Sequence, residues 1–122
     1  SQWTHDLDNP ANKQFVEAFR AAYDRTPTLY ASQGYEAARL IGSALKSVGG
    51  DVTKFDQLRT AVRKADFESV RGQFAFTSNQ HPVQNLYIRE VVEDGKGGFT
   101  NQTLKAVFTN HGNAYVDACS MK

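Results

Sequence analysis

The three histidines, His5, His81 and His111, are the first residues to test for chemistry, and their spacing argues against it. They lie far apart and lack the HxxxH pattern that sets two imidazoles on one helical face around a metal. They read as scattered surface residues, and no metal site is expected. Gly95-Lys96-Gly97-Gly98 joins glycines to a lysine, but it has neither the spacing nor the following Ser/Thr of a phosphate-binding loop. No GxSxG nucleophile elbow occurs. Asp6 and Asp8 read as a solvated pair on an N-terminal stretch. Cys119, the one cysteine, has no neighbouring base that would make its thiol a nucleophile. It is either a small apolar residue on a terminal helix or half of a disulfide whose partner lies on other polypeptide. No catalytic residue and no cofactor are therefore expected, and the chain is not expected to be an enzyme on its own.

Bulk properties exclude further classes. Fourteen basic residues face thirteen acidic ones over 122 residues, leaving a net charge of +1. That balance supplies no field to hold a polyanion, so nucleic acid is not an expected partner. Hydrophobic residues make up 40%, enough for a core in a domain of ordinary size. No apolar run approaches the ~20 residues of a membrane span. No basic segment followed by an apolar stretch marks a signal peptide within these residues.

The elements that would position any site can be read from periodicity. Asn9-Pro10 is a helix start, with Asn at the cap and Pro at the first position. Phe15, Val16, Phe19, Ala22 and Tyr23 follow at helical spacing, and Asp24 to Pro27 ends the run. A second helix is expected from Tyr30 to Val48, with Tyr35, Ala38, Ile41 and Leu45 on its apolar stripe and Gly49-Gly50 as its stop. A third starts with Thr53 as its cap and turns Phe55, Leu58, Val62 and Ala65 to one side. The period then changes to two. Gly72–Phe76 reads as a strand, Thr77–Pro82 as a turn-rich connector, and Leu86–Val92 as a buried strand. Gly95–Gly98 forms a hairpin loop, Thr103–Thr109 the return strand, and Asn113–Cys119 a short last helix. This is an α/β chain whose helices outnumber the strands available to receive them.

The string Asn9-Pro10-Ala11-Asn12-Lys13-Gln14-Phe15-Val16 with Phe19 resembles the ANKxFVxxF helix of periplasmic solute-binding proteins of the branched-chain amino acid transporter class. Tyr23-Asp24-Arg25-Thr26-Pro27, Tyr30-Ala31-Ser32-Gln33-Gly34-Tyr35-Glu36-Ala37-Ala38 and Phe67-Glu68-Ser69-Val70-Arg71-Gly72-Gln73-Phe74-Ala75-Phe76 resemble later segments of that family, in family order. Asn79 to Val92 is similar to a subgroup pattern that leans toward importers of aromatic acids.

The resemblance implies a type I periplasmic-binding fold: two α/β lobes, three hinge crossings and a ligand cleft between the lobes. This chain matches only the C-terminal portion of that plan and is expected to be incomplete on its own. Residues 1–25 would belong to the second lobe, 26–80 to the first, and 81–122 to the C-terminal part of the second. Pro27, Thr28, His81 and Pro82 would then sit in hinge segments. Tyr30 and Gln33, at the start of the second helix, would face the ligand with a ring, a hydroxyl and an amide. Tyr35 is expected in the core, and Trp3 either stacks on ligand or covers an apolar edge.

The implied function is capture of an amino acid or related small carboxylate, for example an aromatic acid, in the periplasm. Delivery to the permease subunits of an ABC importer would follow. The alternatives are a stand-alone α/β interaction domain and the sensory ligand-binding domain of a receptor. Helices built for a larger sheet would leave Phe15/Phe19 and Phe55/Leu58/Val62 exposed, so a dimer or a complex with a missing N-terminal half is expected.

Overall fold

The computed structural model describes residues 1–120. Helices α1 (Pro10–Tyr23), α2 (Leu29–Ser47) and α3 (Phe55–Lys64) precede strands β1 (Ala75–Phe76), β2 (Pro82–Glu93) and β3 (Phe99–His111). The strands are antiparallel, in the order β1-β2-β3.

Helix α1 begins where Asn9-Pro10 predicts. The Asn9 side chain accepts the Asn12 N–H, which satisfies one of the donors a helix start leaves free. It ends at Asp24, a left-handed residue (φ 49°) whose N–H returns to the Arg20 carbonyl. Helix α2 starts one residue before the expected Tyr30, because the Thr28 hydroxyl accepts the Ala31 N–H and makes Thr28 the cap. Gly49 and Gly50 follow it at φ 67° and 77°, a conformation that side chains resist, and the Gly50 N–H closes on the Leu45 carbonyl.

The start of α3 corrects an expectation. Thr53 is not its cap: Lys54 holds that position and makes no side-chain bond. The Asp51 carboxylate accepts both the N–H and the hydroxyl of Thr53, so Thr53 is engaged in a turn one residue before the cap.

The core gathers Trp3, Phe15, Val16 and Val70, with Leu7, Phe19, Leu29, Ala31 and Tyr35 packed around them. The Phe15 ring lies 4.6 Å from that of Tyr35 and 6.0 Å from that of Trp3. Tyr35 is thus core-facing as expected, and Trp3 is a core residue with 2% exposure. The exposed Phe15/Phe19 patch is corrected: Phe15 is 4% exposed, because Trp3 and Val70 close over the stripe from distant parts of the chain. Phe55, by contrast, stands 70% exposed, and α3 contributes no buried side chain.

The strands depart most from expectation. Only Ala75–Phe76 of the Gly72–Phe76 stretch pairs with β2. Leu86–Val92 lies within β2 but is not buried. No residue of β2 or β3 is buried, and Ile88, Val91, Leu104 and Phe108 are 45%, 67%, 57% and 54% exposed. Both strands run longer than predicted and form a ribbon with register shifts between Gln84 and Arg89. Asn113–Cys119 is a run of turns bonded three residues apart, not a helix.

Among the described residues, no hydrogen bond, ion pair, aromatic contact or Cα approach within 8 Å joins α1, α2 or α3 to β2 or β3. The ribbon is largely uncovered because no helix of these residues packs on its faces, which is why a strand that reads as buried is half-exposed.

Candidate functional site

Residues Pro27 to Gln33 form one edge where the chain turns into α2. Pro27 is buried, which fixes the approach to the helix, and Thr28 caps it. Tyr30 follows in the first turn, 79% exposed, and Gln33 is exposed one turn on. A helix start presents N–H groups that have no helical acceptor, together with the positive end of the peptide dipoles. A ring, a hydroxyl and a two-way amide therefore stand beside a start suited to a carboxylate.

The other pair singled out from the sequence lies elsewhere. His81 closes a tight turn whose Thr77 N–H donates to the His81 carbonyl at 2.8 Å. Pro82 is the first residue of β2, opposite Phe76. The larger concavities do not include Tyr30 or Gln33. One of about 740 Å³ lies between the end of α1 and the β2–β3 loop, lined by His5, Arg20, Arg25, Glu93 and Lys96 among others. Another, of about 450 Å³, lies between α2 and α3.

Three polar centres escaped the sequence reading. Asn12, fully buried in the first turn of α1, donates to the carbonyls of Thr4, His5 and Leu7 and accepts from the Trp3 indole at 2.7 Å. Its only signal is membership in the ANK string, since helical position alone gives no hint of burial. Glu36, 3% exposed on α2, accepts from Arg71 Nε and Nη2, while the Ser69 hydroxyl donates to its second oxygen. Arg71 Nη1 reaches Gln84 of β2, and its guanidinium sits 5.0 Å over the Phe74 ring. A glutamate next to Tyr35 on an apolar stripe was a signal for such a partner.

The third centre is Asp6, which had read as solvated. One carboxylate oxygen accepts the Thr103 N–H, and the other accepts the hydroxyls of Thr4 and Thr103. Burial opposes the charged form, but these hydrogen bonds outweigh it and hold the Asp6 pKa below the usual aspartate value. Asp8 behaves as expected and pairs with Lys13 at the surface. His5 is half-buried, and that burial pushes its pKa down. Among the described residues, no group of three or more His, Cys, Asp or Glu side chains could hold a metal ion. Cys119 is a half-buried free thiol.

Comparison with known proteins agrees with the ordered resemblance. Residues 1–96 match the family model described as periplasmic binding protein. The Leu/Ile/Val-binding protein homolog 6 of Brucella abortus is 30% identical over 103 residues, which cover 80% of this chain and 26% of that protein. A solute-binding protein of an ABC transporter from Rhodopseudomonas palustris, solved in complex with benzoate, superposes with a TM-score of 0.83 at 36% identity, covering 93% of this chain and 30% of that one. A second solute-binding protein from R. palustris BisB5, in complex with 3,4-dihydroxybenzoic acid, gives 0.74 at 29% identity, covering 89% and 30%. An ABC-type branched-chain amino acid transporter protein from R. palustris, 18% identical with a TM-score of 0.68, shares the fold and covers 85% and 28%. The chain thus spans between a quarter and a third of the length of these relatives, as expected of part of a two-lobed type I binding fold. With a matched family model over most of its length, this chain belongs to the periplasmic binding protein family.

Proposed function

We propose that this chain is the closing part of the extracytoplasmic solute-binding component of an ABC importer for small carboxylates, with aromatic acids ahead of aliphatic amino acids. The observation that carries this reading is the likeness, over 93% of the chain, to a benzoate-bound solute-binding protein. Such a component catalyses no reaction. It takes ligand between two lobes in the periplasm and presents the closed form to membrane permease subunits.

Tyr30 and Gln33 form one wall of the cleft in this reading. The Tyr30 ring stacks on an aromatic ligand, and the start of α2 faces its carboxylate. Of the four residues expected at hinges, His81 and Pro82 lie at the root of the ribbon and keep that role. Pro27 and Thr28 link helices that share one core, so their part is to set the start of α2. The same core, which unites Phe15 of α1 with Tyr35 of α2, favours assigning α1 to the lobe of residues 26–80 rather than to the ribbon's lobe. The uncovered ribbon favours association of this stretch with the remainder of a longer chain, or with itself.

The test uses the complete gene product. Benzoate, 3,4-dihydroxybenzoate, leucine, isoleucine and valine are screened by thermal shift and calorimetry. A ligand at 100 times its Kd adds about 2.7 kcal/mol of stability, so a true ligand raises Tm measurably. Tyr30→Ala is expected to weaken aromatic-acid binding about tenfold, on the order of the worth of a stacked ring, while Phe55→Ala leaves it unchanged. Absence of a shift with every compound overturns the reading.

A further inference from the structure

The helical part of the chain and the β2–β3 ribbon meet through few contacts. The N-terminal segment belongs to the helical part, because the Trp3 ring lies in its core and Asn12 holds the carbonyls of Thr4, His5 and Leu7. At the ribbon's root, Arg71 reaches Gln84 and β1 pairs with the first residues of β2. Farther along, Ser1 and Tyr87 exchange two backbone hydrogen bonds, of 2.9 and 2.7 Å. The pairing of β2 with β3 is irregular from Gln84 to Arg89, so the ladder is locally interrupted and the ribbon bends in this stretch.

The Ser1–Tyr87 pair and the contacts at the root all hold β2. An attachment to β3 restrains rotation of the ribbon about them. Asp6 makes it. Its carboxylate accepts the Thr103 N–H at 2.9 Å and the Thr103 hydroxyl at 2.7 Å, both across 97 residues of sequence, and the hydroxyl of nearby Thr4 at 2.6 Å. The two threonine hydroxyls are themselves 2.6 Å apart. Thr4 is 1% exposed beside the core of the helical part, whereas Thr103 stands on β3 opposite Arg89, where the register slips. Asp6 is an exposed residue and its bonds to Thr103 lie at the surface, so they can exchange with solvent. An attachment of this kind can yield, unlike the Glu36–Arg71 pair that is closed off from solvent.

We propose that Asp6 is the clamp that sets the angle between the helical part and the β2–β3 ribbon, and through it the resting balance between open and closed forms of the binding cleft. The second half of this statement rests on the two-lobed binding reading above. Asp6 is a positioning residue and touches no ligand. A state in which the clamp holds is favoured by the free energy of its bonds, and the apparent Kd of a ligand that binds one form varies inversely with the population of that form.

The experiment uses the complete gene product with Cys119→Ser and spin labels at Arg59→Cys on α3 and Lys96→Cys at the ribbon tip. The label distance is read without ligand, and benzoate is then titrated. Asp6→Ala and Thr103→Val are each expected to shift or broaden the distance distribution, and the double variant to do no more than either alone. The apparent Kd for benzoate is expected to change at least about threefold, tighter where the distribution moves toward the benzoate-bound distance and weaker where it moves away. Distributions identical to the parent in all three variants overturn the clamp. So does a fall in Tm with distances and Kd unchanged, since that is a purely structural role. If benzoate and the other screened compounds fail to bind the parent protein, the binding reading falls, while the ligand-free distances still decide for or against the clamp.

Discussion

Asn12 shows how one side chain can organise a segment with no regular structure of its own. Residues 1–8 make no helix or strand, yet Trp3 and Thr4 are almost fully buried. The backbone carbonyls of this segment need donors, and the Asn12 amide donates to those of Thr4, His5 and Leu7 while its oxygen takes the Trp3 indole N–H. Asn12→Ala leaves the indole donor and the His5 carbonyl without these partners, while the Leu7 and Asn9 N–H groups still reach the Thr4 and Leu7 carbonyls. The expected cost is about 3 kcal/mol, at the upper end for unmet buried polar groups. It is read as a lower urea midpoint at unchanged m, and a loss under 1 kcal/mol would show that water takes over the amide's role. Apart from the place of Asn12 in the ANK string, none of this was legible in the sequence. Burial of a polar residue is decided by what folds over it, and Trp3 lies nine positions away in chain with no periodic relation to Asn12.

Elements were legible where their signals are local. Asn9-Pro10 fixed the start of α1 because cap and first-turn preferences act within four residues, and Gly49-Gly50 fixed the end of α2 for the same reason. Thr53 misled because the Asp51 carboxylate holds both its hydroxyl and its N–H, and Lys54 takes the cap position. Asp24 carries a testable consequence of such local rules. It sits in the left-handed region at φ 49°, exposed, with its negative charge at the end of α1 where the peptide dipoles disfavour it. Asp24→Gly is expected to stabilise the chain by about 0.5–1 kcal/mol, since glycine adopts this conformation freely. Thermal denaturation decides it: a Tm at or below the parent's contradicts the assignment of strain to this position.

At the scale of the whole molecule, the ordered family segments foretold the fold and its incompleteness, but not which faces lie open. Phe15 was expected outside and lies in the core, while Leu86–Val92 was expected inside and lies in an uncovered ribbon. Both outcomes depend on partners remote in sequence, which periodicity cannot weigh. The uncovered side chains include Val91, Phe99, Leu104 and Phe108, each more than half exposed. Side chains of this kind on a ribbon with an unpaired edge promote self-association. The 122-residue chain expressed alone is expected to form dimers or larger species at micromolar concentration by light scattering. Leu104→Lys with Phe108→Lys is expected to shift it toward monomer. A monodisperse monomer of the parent chain contradicts this.

Trp3 gives the molecule an optical consequence. It is the one tryptophan of the chain, 2% exposed, and its indole is bonded to Asn12 rather than to water. Its emission is therefore a reporter of a single event, the docking of residues 1–8 onto α1. Those residues also carry Asp6 and the backbone pair to Tyr87. Fluorescence from one native ring can thus follow, without any label, whether the junction between helices and ribbon is assembled as conditions change.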